Sequence, residues 1–310
     1  MRPARVSART GGAASPSGRG ATAKRARKRA VAQPPGDLHK NHDIYFVPGL
    51  RRGLLMLEAL ASAGEPMSVA EIGKRIGLTR SSVFRLAYTL QHMGFVEEVA
   101  ESKLLRLGAR VLNIGYAYLA SQTLIETARP ELESLRDRTS VSSHLAILDR
   151  GEILYLSCIQ TKSGFLSTMN VGTRLPAYAT PMGWLLLGDR STRELGKLYP
   201  EGSFVALTDQ TPRNLADLAQ RIATAVSAGH AISHGAVEPG GSSIAAPIRD
   251  REGRIVAAID VSAPDSAFDM AAFDRNVREV MESAARISSR LGFTPDAPAE
   301  ATARRRSRKA

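Results

Sequence analysis

Residues 68–86 read SVAEIGKRIGLTRSSVFRL, and this stretch decides the fold of the first part of the chain. Ser68 is followed three residues later by Glu71, a spacing that predicts a capping box at the start of a short helix. Gly77 ends that helix, because glycine adopts the left-handed conformation of a tight turn at no steric cost. The pattern therefore predicts one short helix and a sharp turn after it.

A second helix follows the turn. Thr79 can cap it, and Val83 and Leu86 fall on one face as core anchors. Gly73 provides a small residue where the two helices cross, at the correct distance from Gly77. This combination of small residue, turn glycine and core anchors is typical of a helix-turn-helix.

The flanking sequence extends the motif on both sides. An apolar stripe before it predicts a further helix with its core face at Leu50, Leu54, Leu57, Leu60 and Ala61. After it, two short extended runs at residues 95–99 and 104–107 flank a polar tetrapeptide, which predicts a β-hairpin wing. We therefore expect a winged helix-turn-helix DNA-binding domain over residues 44–107.

The helix after the turn exposes polar side chains near its start, where such helices read the major groove. Arg80 and Arg85 are candidates for base contacts, because a guanidinium can fork onto guanine. A solvated charge beside the groove is the alternative for Arg85. Hydroxyls and a wing lysine are candidates for phosphate contacts. The predicted DNA-binding residues are Thr79, Arg80, Ser81, Ser82, Arg85, Tyr88 and Lys103.

The formal charge of +12 lies almost entirely at the two ends of the chain. Residues 1–43 contain ten Lys and Arg against two Asp, and residues 295–310 contain five against two acids. Both segments lack apolar periodicity, so we expect a disordered basic arm and a disordered basic tail. They either attract phosphate without specificity or act as solubilising extensions.

Composition argues against several other classes of protein. No apolar run approaches the roughly 20 residues that a bilayer span needs, and no secretory signal pattern begins the chain. Cys158 is the single cysteine, so neither a disulfide framework nor a multi-cysteine zinc site is expected. We expect a cytoplasmic protein with no membrane partner, no metal and no cofactor.

Residues 108–122 carry a helical apolar stripe and are predicted to form a linker helix. Residues 123–294 predict an α+β domain with a mainly antiparallel sheet. Its first helix is expected to open at Pro130, since proline suits a first helical turn. Hairpins are predicted over residues 144–159 and 243–261, and helices over 181–187, 215–228 and 270–291.

One segment of this domain is a candidate ligand-binding site. Thr180 can cap a helix whose first residue is Pro181, which leaves the N–H groups of Met182 and Gly183 at the positive end of the helix dipole. Such a helix start can bind a carboxylate. The alternative is an ordinary capped helix packed on the sheet. Taken by itself, this segment favours that alternative.

The sequence resembles the IclR family of bacterial transcriptional regulators over residues 45–291. The resemblance rests on residues 50–54 (LRRGL), 71–73 (EIG), 79–86 (TRSSVFRL), 90–95 (LQHMGF), 171–183 (VGTRLPAYATPMG) and 240–248 (GGSSIAAPI). The GTRLPAYAT string looks like the branch that controls aromatic-acid breakdown through the β-ketoadipate route. The resemblance implies a GAF-like effector domain for a small organic acid, and dimers or dimers of dimers on palindromic operators.

Carried over by position, the resemblance implies an effector site at Ala179, Thr180, Pro181, Met182, Ser233, Gly241, Ser243, Asp260 and Ser262. Two positions depart from the family pattern. Pro181 removes a backbone donor, and Asp260 introduces a carboxylate that opposes an anionic ligand unless it is protonated or turned away. The effector could therefore be less acidic than the branch implies.

Two other functions are alternatives to a ligand-controlled regulator. A structural DNA-binding protein would use its second domain only to oligomerise. An enzyme is disfavoured, because His230 and His234 lack a third metal ligand nearby and Cys158 lies on an apolar strand. No nucleophile elbow and no phosphate-binding loop is present in the sequence. RNA polymerase is a further candidate partner.

Overall fold

The computed structural model describes residues 45–121, 123–162, 169–268 and 272–294. The basic arm and the basic tail predicted from the sequence lie outside these ranges. The chain forms two compact units, with the boundary between Leu112 and Asn113. None of the helices in the described ranges is long and apolar enough to cross a membrane.

The first unit contains the elements of the predicted winged helix-turn-helix. They are α1 (Pro48–Ala63), α2 (Val69–Ile76), α3 (Arg80–His92), β1 (Val96–Glu98) and β2 (Leu105–Leu107), the two strands pairing antiparallel. The Ser68 hydroxyl accepts a hydrogen bond from the Glu71 N–H, and the Glu71 carboxylate accepts one from the Ser68 N–H. Gly77 has φ 69°, in the left-handed region that the turn requires. The predicted fold of this part is confirmed.

Close packing between α2 and the turn explains the glycine at position 73. A Cβ atom there would lie 2.7 Å from the Leu78 carbonyl oxygen, too close for any side chain. Val83 is fully buried in the same core. The predicted stripe on α1 is wrong at three positions, since Leu50, Leu54 and Ala61 are exposed. The buried residues of this helix are Met56, Ala59 and Leu60. Only the second half of α1 packs on this core.

A continuous helix crosses the boundary between the units. This helix, α4 (Arg110–Ala120), falls within the predicted linker at residues 108–122. None of its residues is buried, although it is apolar on every side after Arg110 except at Asn113. Such a composition is typical of a helix that is covered in its working state.

The second unit is an α+β domain built on one antiparallel sheet. Its helices are α5 (Thr123–Thr139), α6 (Pro181–Leu186), α7 (Thr192–Leu198), α8 (Leu215–Ala228) and α9 (Phe273–Arg290). Its strands are β3 (Ser143–Asp149), β4 (Glu152–Ile159), β5 (Arg174–Pro176), β6 (Ala231–His234), β7 (Gly241–Arg249) and β8 (Ile255–Pro264). The strand order is β5-β4-β3-β8-β7-β6. One sheet face packs on α6 and α8, and the other on α5 and α9.

Local sequence signals place both hairpins. Arg150 and Gly151 join β3 to β4 with φ 52° and 85°, the pair of left-handed residues that a two-residue type I′ turn requires.

The predicted helix start at Pro130 is wrong, because α5 begins at Thr123 and contains the proline in its interior. A proline there removes one helical hydrogen bond, and burial of Leu132 and Leu135 offsets that cost. Strand β5 and helix α7 were not predicted.

A buried carboxylate connects α5 to α9. One oxygen of Glu131 accepts hydrogen bonds from Arg286 Nη2 at 2.8 Å, Ser283 Oγ at 3.0 Å and Arg138 Nη2 at 3.1 Å. Burial raises the pKa of Glu131, but the hydrogen bonds from Arg286, Arg138 and Ser283 outweigh it and hold the pKa below its ordinary value. The ionised carboxylate therefore stabilises the folded domain.

We expect Glu131→Gln to lower the free energy of unfolding at pH 7 by about 2 kcal/mol, because it leaves two partly solvated arginines without their buried partner. The stabilisation is fully present above the ordinary glutamate pKa of 4.5 and is lost as the pH falls through the lowered folded value. Urea unfolding at several pH values should show the gap between wild type and variant closing in acid.

The matched control is Glu282→Gln on α9, whose carboxylate is exposed and pairs with Arg286 at 3.4 Å. It should change stability by less than about 0.5 kcal/mol. Equal losses in both variants would contradict a specific role for the buried carboxylate.

Candidate functional site

The start of α3 presents a polar surface of hydroxyl groups and basic side chains. The Thr79 hydroxyl accepts a hydrogen bond from the Ser82 N–H and donates to Ser82 Oγ at 3.0 Å, and it lies 3.2 Å from Ser81 Oγ. Arg80, Ser81 and Arg85 are exposed on the same helix. No acidic residue occurs between Thr79 and His92, so nothing on α3 repels phosphate.

The arginines of α3 have no ion-pair partner within the described part of the chain. Two aromatic side chains share their surface, since Phe84 is 63% exposed and Tyr88 is 68% exposed. Phe84 was missed from the sequence, although its place beside the core position Val83 puts it on the outer face. An exposed phenyl ring costs solubility unless a partner covers it, and thymine methyl groups in the major groove are suitable partners.

The wing is less basic than α3. Lys103 is exposed and has φ 55°, so it lies at the turn of the hairpin. Glu97, Glu98 and Glu101 lie in the same hairpin, and the Glu97 carboxylate pairs with Arg106 at 2.7 Å. The phosphate contact predicted for Lys103 stays a prediction, and it would have to form beside two unpaired carboxylates.

The second unit contains a cleft between α6 and the sheet, with an empty volume of about 630 Å³ that is partly open to solvent. Strands β4, β7 and β8 contribute its floor, and the start of α6 contributes one wall. The residues that line it are Tyr155, Met169, Leu175, Thr180, Pro181, Ser233, Val237, Glu238, Gly241, Ser242, Ser243, Asp260, Ser262, Ala263 and Pro264.

Seven of the nine residues predicted for the effector site line this cleft: Thr180, Pro181, Ser233, Gly241, Ser243, Asp260 and Ser262. Ala179 and Met182 do not, because both side chains are fully buried in the core. The expectation that the Gly183 N–H is unpaired is wrong, since it donates to Thr180 Oγ1 at 3.0 Å. A Cβ at position 183 would lie 2.0 Å from the Ala177 carbonyl oxygen, so this turn requires glycine.

Asp260 is the buried polar centre of the cleft. Its Oδ1 atom lies 2.7 Å from His144 Nδ1, and its Oδ2 atom accepts a hydrogen bond from Ser243 Oγ at 2.8 Å. His144 is fully buried, and its Nε2 atom has no hydrogen-bond partner among the described residues. Ser262 Oγ is 3.5 Å from His144 Nδ1, at the limit of a hydrogen bond. The carboxylate is thus turned toward a histidine and remains on the cleft wall.

The cleft residues missed from the sequence are Tyr155, Met169, Leu175, Val237, Glu238, Ser242, Ala263 and Pro264, with His144 behind Asp260. His144 lies in an apolar strand, and only the β3–β8 register, which pairs it with Asp260, reveals its role. The Tyr155 ring meets His144 edge to face, with centroids 5.6 Å apart. Burial raises the pKa of Tyr155 well above its ordinary value, and the nearby Asp260 charge adds to it, so the phenol stays neutral.

Cys158 is paired with His144 across β3 and β4, yet it is not activated. Burial, and then the Asp260 charge, raise the pKa of its thiol to about 12, so almost no thiolate forms at neutral pH. His234 Nδ1 lies 2.7 Å from Ser242 Oγ and not beside His230. Within the described ranges, no three His, Cys, Asp or Glu residues could hold a metal ion.

Comparison with known proteins finds a family match for both parts of the chain. Residues 49–100 match the IclR helix-turn-helix domain, and residues 116–289 match the domain described as bacterial transcriptional regulator IclR C-terminal. The chain belongs to the IclR family. It is a DNA-binding transcriptional regulator, and the relatives it matches are regulators and not enzymes.

The matches extend over most of this chain and most of each relative. The Pca regulon regulatory protein of Pseudomonas putida is 31% identical over 218 residues, which is 70% of this chain and 74% of that protein. The transcriptional repressor IclR of Escherichia coli (strain K12) is 29% identical and covers 79% of this chain and 87% of its own. An IclR homologue of Microbacterium hydrocarbonoxydans, solved with 4-hydroxybenzoate, shares the fold at a TM-score of 0.67 and 24% identity, covering 78% of this chain and 98% of that one.

Proposed function

We propose that this regulator reads its operator by placing α3 in the major groove, in the cytoplasm where the DNA lies. The exposed surface from Arg80 to Tyr88 carries the proposal: it is basic, free of carboxylates and without intramolecular ion pairs in the described chain. Arg80 and Arg85 make the base contacts, while Thr79, Ser81, Ser82 and Lys103 contact phosphate. Tyr88 lies one turn further along and contacts the groove edge.

Arg80→Ala should weaken binding to the operator by about 1–3 kcal/mol and relax sequence preference, because a forked guanine contact is lost. Fluorescence anisotropy with the selected operator and with random duplex measures both effects. Arg193→Ala is the matched control, since it removes the same charge from an exposed position on α7. Equal weakening on both duplexes by Arg80→Ala would make Arg80 a phosphate contact.

The cleft of the second unit supports control by a small organic molecule. Its lining combines apolar side chains with several hydroxyl groups, as the lining of a small-ligand pocket does. Two relatives favour aromatic catabolism as the setting: one is named for the Pca regulon, and a homologue of the same fold holds 4-hydroxybenzoate. We infer that a compound of an aromatic degradation route binds here and changes operator affinity.

Titration of aromatic-pathway acids and phenols tests this control. At 100 times its Kd, a true effector should stabilise the protein by about 2.7 kcal/mol and should also shift the operator affinity. Thermal unfolding and anisotropy give the two readouts. If no compound moves either one, the second domain only oligomerises and the structural DNA-binding alternative is favoured.

We also propose that the protein works as a homodimer, or as a dimer of dimers, on a palindromic site. The apolar surface of α4 supports this state: Leu112 is 71% exposed and Tyr116 is 67% exposed one turn apart. A second copy of the same helix is a suitable cover, because the pair then presents two α3 helices to two half-sites.

Replacing Leu112 and Tyr116 together by lysine should shift the mass in sedimentation velocity toward the 33.3 kDa monomer and abolish tight operator binding. Asn113→Lys adds a charge to the same exposed helix and serves as the control. A double variant that keeps the wild-type mass would contradict dimerisation through α4.

A further inference from the structure

We propose that the effector recognised by this cleft is an uncharged, hydroxylated ring compound, such as a phenol, a catechol or a cyclic diol, and not a carboxylate anion. The proposal rests on effector control by the cleft, as proposed above. It deepens that function by naming the charge and the hydrogen-bonding groups of the ligand.

The first argument is the charge of the lining. Asp260 and Glu238 contribute two carboxylates to the cleft, and none of the described lining residues is Lys or Arg. A carboxylate ligand would therefore meet like charge with no Lys or Arg among the described lining residues to pair with it, an arrangement that costs binding energy.

The charge state of His144 does not reverse this conclusion. If the ring is protonated, it neutralises Asp260 and leaves the charge of Glu238 on the lining. If the ring is neutral, both carboxylates add negative charge to the lining. In either state the cleft carries no net positive charge for an anion to pair with.

The second argument is the loss of backbone donors at the start of α6. Pro181 has no N–H group, and the Gly183 N–H is already bonded to Thr180 Oγ1. The Met182 side chain lies in the core, so its backbone N–H is the one first-turn donor that these two losses leave. The helix start thus offers the cleft at most one of the two outward donors that would hold a carboxylate in place of a cation.

The third argument is the excess of acceptors at the cleft centre. Each Asp260 oxygen has one partner, His144 Nδ1 or Ser243 Oγ, and an ionised carboxylate oxygen can accept a second hydrogen bond. Because a carboxylate only accepts, His144 Nδ1 is the donor of that pair. A ligand that satisfies this centre must donate, as hydroxyl groups do.

The shape of the lining completes the ligand class. Tyr155, Met169, Leu175 and Val237 form apolar walls, which suit the face of a ring. Ser233, Ser243 and Ser262 also line the cleft; the Ser243 hydroxyl already donates to Asp260, and it can still accept a hydrogen bond from a ring hydroxyl. One face of the ligand is therefore apolar and one edge carries hydroxyl groups.

The test compares matched pairs that differ by one carboxylate: catechol with 3,4-dihydroxybenzoate, and 4-hydroxybenzyl alcohol with 4-hydroxybenzoate. Titration calorimetry and operator anisotropy at pH 7.5, where the acids are ionised, measure binding by the full-length protein. We expect the neutral member of a pair to bind at least about tenfold more tightly than its acid, which corresponds to about 1.4 kcal/mol.

Asp260→Asn removes the charge while keeping the shape of the side chain. It should shift the neutral-to-acid preference by about tenfold toward the acid, whereas Glu282→Gln, on the surface of α9, should leave the preference unchanged. The wild-type comparison is sufficient for the test even if the variant fails to fold.

Acids that bind the wild type as tightly as their neutral partners would overturn this proposal and leave effector control intact. An unchanged preference in a folded Asp260→Asn variant would overturn it as well. If no compound of either kind binds or moves operator affinity, effector control fails together with the proposal.

Discussion

The pairing of β3 with β8 joins two hairpins that are far apart in the sequence, and the second unit depends on it. Residues 143–146 pair with residues 258–261, so the three strands β5-β4-β3 and the three strands β8-β7-β6 become a single six-stranded sheet. The same register sets His144 opposite Asp260 and gives the buried carboxylate its partner. Because a buried polar group without a partner is costly, this contact stabilises both the strand pairing and the cleft wall.

The first unit depends on steric fit more than on charge. The backbone of the turn passes so close to Gly73 that no larger residue fits, and this approach fixes α3 against α2. The Thr79 cap then fixes where α3 begins, and so which residues emerge at its start. The DNA-reading surface is therefore a consequence of a tight turn. The charge of the chain contributes little to it, because the excess of basic residues lies in the two terminal segments.

Local sequence signals predicted local structure well. The capping box at Ser68, the turn at Gly77 and the hairpin turn at Arg150 each depend on neighbours within a few residues. Errors arose where distant contacts decide the outcome. Burial across the domain keeps Pro130 inside a helix, against its local preference. His144 was missed for the same reason, since a histidine in an apolar strand is informative only when its partner on another strand is known. The family resemblance supplied seven of the fifteen residues that line the cleft, but not their hydrogen bonds.

Control by a ligand, as proposed for the cleft of the second unit, has a consequence for the lifetime of the protein in the cell. A bound compound adds to the stability of the occupied domain through mass action. Proteases degrade the unfolded chain, so the empty form is removed faster than the occupied form. The abundance of the regulator would then follow the supply of its ligand, in addition to its occupancy of DNA.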